Sequence, residues 1–273
     1  NGWREYEFRP SARKLYKRIN NINKIWNGKK TSDLLLVHVE QGLGDQILFS
    51  TMLEDLYKLN KKIFVMLDER LISIYKRSLP KINFLLKDEV DLPRWKGLHT
   101  FLGSLGKYFR NSSKDFLKNK KKLLKATPEN INQYKLKIKH KSKINVGLHW
   151  KSFSLSPDNK EGRNLSLENL ATIFPSETYD LYNLQYGDKE KDIKNLYDNL
   201  NREIIVFDDL DYKNDFEKIA GLITNLDIIA SNYTFMAYFA GSLGAHTFVF
   251  VPLSVRWPFH THSPRKRSLW FPS

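Results

Sequence analysis

The chain has 273 residues, of which 41% are hydrophobic and 13% aromatic. It can therefore bury the interior of one large α/β domain or two smaller ones, and its composition is not that of a disordered segment. The absence of cysteine excludes a disulfide scaffold, a thiolate nucleophile and Cys-ligated zinc, and a reducing, cytoplasmic compartment suits it. Lysine and arginine exceed aspartate and glutamate by 15, for a pI near 9.7, so anionic membrane surfaces, polyanions and phosphorylated small molecules are favoured partners. A lysine-rich, asparagine-rich composition would produce the same excess with no partner involved. No apolar run approaches the roughly 20 residues of a membrane span. The abrupt ends, Asn1-Gly2-Trp3 and Trp270-Phe271-Pro272-Ser273, suit a piece cut from a longer protein.

Residues 1–30 read as a lead-in with one basic-faced helix, Ser11 to Asn20. Residues 31–143 read as a first α/β domain with a basic connector. It opens on the apolar run Leu34 to Val39, of the kind that forms a buried parallel strand. Glu40-Gln41-Gly42-Leu43-Gly44-Asp45 follows, and then Ile47, Leu48, Met52, Leu53 and Leu56 at the spacing of one helix. Strand, glycine turn and helix make the start of a βαβ unit. The next unit has Ile63 to Leu67 as strand and Leu71 to Leu79 as helix, closed by Pro80, and a third strand is expected at Ile82 to Leu86. Residues 88–106 carry weak signals. Lys107 to Lys143, around a helix at Pro128 to Leu136, reads as the basic connection between domains.

Residues 144–273 read as a second α/β domain. Strands are expected at Ile144 to Trp150, Asp180 to Gln185, Ile204 to Phe207, Ile228 to Ala230 and Thr247 to Val251. Helices are expected at Leu165 to Phe174, Lys189 to Leu200, Phe216 to Leu226 and Met236 to Leu243. This alternation predicts parallel sheets with helices on both faces.

In such sheets ligands bind beyond the carboxyl ends of the strands, so chemistry is sought in the strand-to-helix turns. Gly42-Leu43-Gly44 lets the backbone approach a ligand at a helix N-terminus, where free N–H groups favour anions and sugar oxygens. Asp45 stands in the first turn of that helix, placed either as a base or simply as a carboxylate that steadies the helix dipole. Lys151 and Arg163 bracket the first turn of the second domain, and cations of this kind can neutralise a departing diphosphate. No metal is expected, and His149 and His246 read as packing residues.

The stretch Leu35 to Phe49, with its core Glu40-Gln41-Gly42-Leu43-Gly44-Asp45, resembles the signature of the glycosyltransferase-like domain of bacterial tetratricopeptide-repeat proteins. That family is related to the ADP-heptose:lipopolysaccharide heptosyltransferases and, more distantly, to O-linked N-acetylglucosamine transferase. The likeness continues in order through Gly2 to Arg9, Val146 to Lys151, Arg163 to Ser166, Leu184 to Gly187, Ala240 to Gly244 and Ser268 to Ser273. It implies a GT-B fold, two Rossmann-like domains with parallel sheets facing across a cleft, acceptor side first and nucleotide-sugar side second. It also implies a metal-independent, inverting transfer of sugar to a hydroxyl of a glycan, lipid-linked glycan or protein. By resemblance Asp45 is the catalytic base, and Glu40, Gln41, Gly42 and Gly44 form the acceptor-side loop. Lys151 and Arg163 would face the donor diphosphate, Gln185 and Tyr186 the nucleotide, and the turn Asn232, Tyr233, Thr234 and Phe235 a phosphate. The expected location is cytoplasmic, at the inner membrane surface as a peripheral protein, and nucleic acid is not an expected partner. In one place the chain departs from its relatives: Tyr233 and Tyr238 stand where they carry an acidic residue and a histidine. The alternative is a catalytically inactive module that binds a nucleotide or a glycan.

Overall fold

The computed structural model describes residues 2–19, 24–39, 42–116, 122–138, 142–152, 164–251 and 268–271. The chain forms two compact units that divide between Lys120 and Lys121.

The first unit is built on four parallel strands, β1 (Leu35–His38), β2 (Ile63–Met66), β3 (Asn83–Leu85) and β4 (Leu98–Phe101), in the order β3-β2-β1-β4. All four residues of β1 are buried, which explains its unbroken run of large side chains: both faces of the strand are covered. Leu35, Val37, Ile47, Leu48, Leu53, Leu56 and Val65 are fully buried in this unit. Each such side chain is worth about 1.5–3 kcal/mol of transfer free energy. Sequence periodicity missed β4, because its run is broken by His99 and Thr100, both buried. The single helix expected over Ile47 to Leu56 is instead two, Leu43–Ser50 and Leu53–Leu59. At the break, Ser50 Oγ donates to Gln46 O at 2.6 Å and Thr51 Oγ1 to Leu48 O at 2.8 Å, so hydroxyls serve carbonyls at the end of the first helix.

The lead-in is part of this unit. Gly106 carries no side chain because the Trp3 ring occupies that space, 2.2 Å from where a Cβ would stand, and Trp3 Nε1 donates to Arg110 O at 2.7 Å. Further along, Ile25 pairs with His99 as one isolated parallel rung outside β4, with Trp26 N donating to His99 O at 2.8 Å.

The second unit has β5 (Ile144–His149), β6 (Tyr179–Asn183), β7 (Ile228–Asn232) and β8 (Thr247–Phe250), again all parallel, in the order β6-β5-β7-β8. The strand expected at Ile204 to Phe207 shrinks to one rung, Tyr182 with Ile205, since Phe207 N is taken by Tyr212 Oη at 2.9 Å. The helix Pro128–Lys137 packs on the helix Phe216–Thr224 of this unit, where Asn130 fills the space left by Gly221 and Asn225 Nδ2 donates to Ile131 O at 2.8 Å. Val146, Leu148, Trp150, Leu167, Leu181, Leu196 and Ala230 form the core between sheet and helices. Among the described residues, no helix is long and apolar enough to cross a membrane.

Candidate functional site

Both sheets reverse their strand order beside the first strand of the unit, at β1 between β2 and β4 and at β5 between β6 and β7. Turns leaving the two neighbours of such a strand go to opposite faces, so each sheet opens a crevice at that carboxyl end.

In the first unit the turn after β1 leads to Gly42, whose extended backbone (φ −68°, ψ 174°) caps the helix Leu43–Ser50. Gly44 and Asp45 lie in its first turn, and Asp45 N and Gln46 N both donate to Gly42 O at 3.1 Å. A Cβ on Gly42 would stand 4.0 Å from Asp45 Oδ2, so the half-buried carboxylate folds back over the start of its own helix. Gln46 Oε1 accepts from Asp68 N at 3.0 Å and ties this turn to the one after β2. Glu40 and Gln41 lie outside the described residues.

Beneath the turn His38 Nε2 and His99 Nδ1 are 2.9 Å apart, and both rings are buried. Burial, and then the neighbouring imidazole, lowers His38 to about 3; burial, and then Lys24, lowers His99 to about 4, so neither is charged at neutral pH. His38 Nδ1 is buried without a partner among the described residues. A pair separated by 61 positions gives no local sequence signal, which is why it was not a candidate.

The carboxyl end of β4 holds a second group that the sequence did not suggest. Glu7 accepts from Lys107 Nζ at 2.7 Å, and Arg9 donates to Ser104 Oγ at 3.0 Å while lying 4.5 Å from the centre of the Tyr6 ring. Burial alone would raise the Glu7 carboxyl; Lys107, with Ser104 and Arg9, outweighs it and holds the group below its ordinary range.

In the second unit the predicted residues converge on one network. His149 Nδ1 lies 2.9 Å from Asn232 Oδ1, whose Nδ2 donates to Trp150 O at 3.2 Å. That second bond fixes the amide, so the Nδ1 proton of the neutral imidazole points at Oδ1. Burial lowers His149 to about 4. Thr234 Oγ1 adds a bond to Asn232 Oδ1 at 3.2 Å and leads into the helix Phe235–Ser242. From β6, the fully buried Gln185 accepts from Trp150 N at 3.0 Å and Lys151 N at 2.8 Å, and donates to Lys151 O at 3.2 Å and Tyr186 O at 2.9 Å. Its amide is thus spent on the backbone of the turn, while the Tyr186 ring lies 5.9 Å from His149.

Lys151 pairs with Asp192, which also accepts from Trp150 Nε1 at 2.8 Å. Tyr238 Oη donates to Tyr233 Oη at 3.4 Å, so the two departures from the resembled family touch each other. The Phe235 ring stacks on Phe216 and Phe239, at 4.8 and 5.3 Å. Arg163 lies outside the described residues.

An Asp-x-Asp pair, Asp209-Leu210-Asp211, follows the Ile205 rung. Asp209 is ion-paired with Lys137 at 2.5 Å, and Asp211 accepts from Lys213 N and Asn214 N. Among the described residues no group of three or more His, Asp or Glu is placed to hold a metal ion.

Two α/β units with parallel four-stranded sheets are also found in solved glycosyltransferases. A glycosyl transferase family 9 protein from Veillonella parvula superposes with a TM-score of 0.58 at 15% identity, covering 84% of each chain. E. coli ADP-heptose lipopolysaccharide heptosyltransferase II gives 0.56 at 11% identity, over 80% of this chain and 84% of that one. TibC of enterotoxigenic E. coli, described as an iron-containing dodecameric glycosyltransferase, gives 0.54 at 11%, over 81% and 59%. The fold is of the GT-B type. Among curated proteins, Protein FlbA of Caulobacter vibrioides is 26% identical over 298 residues, which take in all of this chain and 48% of FlbA. The chain therefore spans about half the length of the curated relative it matches. No protein-family model matches it.

Proposed function

We propose that the chain transfers a sugar from a nucleotide-sugar donor to a hydroxyl acceptor, the second unit holding the donor and the first supplying the base. The observation that carries this reading is the carboxyl end of β5, where Gln185 and Asn232 hold the Trp150-Lys151 backbone in place before any ligand arrives. A prearranged backbone turn beside a lysine at a strand-order reversal suits a phosphate-bearing ligand, because the main chain need not reorganise on binding. The GT-B fold supports it too, and one protein of similar fold is named for an ADP-heptose donor.

Asp45 is the proposed base. Its half-buried carboxylate lies at the corresponding reversal of the first unit, above a glycine that leaves the approach open. It takes the proton from the acceptor hydroxyl as that oxygen attacks the anomeric carbon, and the diphosphate leaves from the opposite face with inversion. Lys151, Arg163 and the N–H groups at the start of the Phe235–Ser242 helix neutralise the departing charge without a divalent ion. A glycan, a lipid-linked glycan or a protein side chain can supply the hydroxyl, and the positive charge of the chain suits an acceptor at an anionic membrane surface.

The test is a calorimetric comparison of UDP, GDP and ADP with EDTA present, followed by a transfer assay. One of the three is expected to bind equally well with the chelator, and Asp45→Asn is expected to cut transfer by about 10²–10⁴-fold while leaving that binding intact. Transfer that survives in Asp45→Asn removes the base assignment.

The Tyr233–Tyr238 contact favours a second reading, a module that binds nucleotide or glycan without turnover. Under it the nucleotide binds but no donor sugar is consumed by native protein.

A further inference from the structure

We propose that Asp192 is a positioning residue that holds the Lys151 ammonium in reserve, so that the second unit selects a diphosphate over a monophosphate; the proposal rests on the donor-binding reading above. Asp192 stands in the first turn of the helix Glu190–Leu200, on the β6 side of the crevice, where sequence inspection gave it no role. A single oxygen of its carboxylate, Oδ2, receives both the Trp150 indole N–H at 2.8 Å and the Lys151 ammonium.

The main chain under this contact cannot follow a ligand. Trp150 N and Lys151 N are held by Gln185 Oε1, Lys151 O by Gln185 Nε2, and Trp150 O by Asn232 Nδ2. The Trp150 ring is itself fully buried. What can move is the Lys151 side chain, four methylenes long and 32% exposed.

An anion entering the crevice must therefore outcompete a carboxylate already in contact with that ammonium. A diphosphate brings two charged groups against the one that Asp192 offers, whereas a monophosphate brings one. When the lysine leaves, Asp192 keeps the indole bond and its side chain is 19% exposed, so the carboxylate is not stranded in a dry interior. The pair thus charges an entry cost that only the more highly charged ligand recovers.

The experiment titrates matched pairs, ADP and AMP, GDP and GMP, UDP and UMP, into the full chain and into Asp192→Asn. The asparagine retains a carbonyl acceptor for Trp150 and removes only the charge. For the base that binds, the native chain is expected to prefer diphosphate by well over tenfold, and Asp192→Asn to tighten the monophosphate so that this preference falls by about tenfold. Adding Lys151→Met to Asp192→Asn is expected to abolish that gain. With 5-fluorotryptophan incorporated and Trp150 assigned through Trp150→Phe, the Trp150 ¹⁹F resonance is expected to shift when diphosphate binds the native chain and to stay still in Asp192→Asn.

A preference unchanged in an Asp192→Asn protein that melts like the native chain overturns the proposal and leaves the donor reading intact. If Asp192→Asn melts lower, Asp192→Glu, which keeps the charge, decides: a preference retained there supports the proposal, and one lost there overturns it. Failure of every diphosphate to bind the native chain removes the donor reading and this proposal together.

Discussion

At the carboxyl end of the first sheet two buried imidazoles face each other across β1 and β4, and one nitrogen of His38 has no partner among the described residues. At the matching place in the second sheet a single imidazole meets an amide, Asn232, that also holds Trp150 O and receives Thr234. Both sheets are parallel and reverse beside their first strand, yet among the described residues the polar groups at the two ends are bonded differently. The second network fixes a turn, which suits a donor site, while in the first unit the two imidazoles serve mainly each other.

The largest expected break in this comparison comes from Asn232→Leu. Replacing the amide leaves His149 Nδ1 only the Thr234 hydroxyl at 3.3 Å and Trp150 O only Leu165 N at 2.9 Å, a loss of about 2 kcal/mol that falls on the second unit. Hydrogen exchange resolved by segment should show faster exchange along β5 and β7 and none of it in β1 and β4. Equal acceleration in both sheets would mean that the network does not belong to the second unit alone.

Acid separates the units next. His38, His99 and His149 are neutral in the fold, with values of about 3, 4 and 4 against 6.5 for an exposed imidazole. As pH falls below 6.5 the unfolded chain takes up protons that the folded chain refuses, so stability is full above that pH and declines on acidification toward 4. The slope approaches about 1.4 kcal/mol per pH unit for each histidine. Two of the three lie in the first unit, which should therefore weaken about twice as steeply in melts between pH 6.5 and 4.5.

The smallest effect sharpens that point. The double replacement His38→Leu with His99→Phe removes both partners of the contact and His38 Nδ1 with them, and should change stability at pH 7 by less than about 1 kcal/mol. It should also flatten the acid response of the first unit. A double variant that still loses stability at the native slope would show that other groups carry the acid sensitivity.

Much of this fold was legible in the sequence because its strands are buried on both faces and so are written as apolar runs: β1, β2 and β5 fall within the segments expected for them. What failed was decided by side chains far apart in the chain. β4 was hidden because a buried His99 breaks its apolar run and is met inside the sheet by His38, and the strand at Ile204 ended early because Tyr212 claims Phe207 N. The site shows the same division. The positions were legible, Gly42, Gly44 and Asp45 at a helix start and Lys151, Gln185 and Asn232 at strand ends, but not that the Gln185 and Asn232 amides are spent on the backbone of a turn. Asp192 could not be read, since its meaning lies in a tryptophan 42 positions earlier.

At one margin of each sheet the outermost pairing, Ile25 beside β4 and Ile205 beside β6, amounts to a single rung, whereas β3 and β8 close the other margins with three and four paired residues. A margin that brief offers a stranger almost nothing to zip onto, since cross-chain polymerisation needs several consecutive backbone bonds to offset the entropy of ordering a new strand. These stubs therefore act as end-stops, and at high concentration β-linked fibres should not start from either stub.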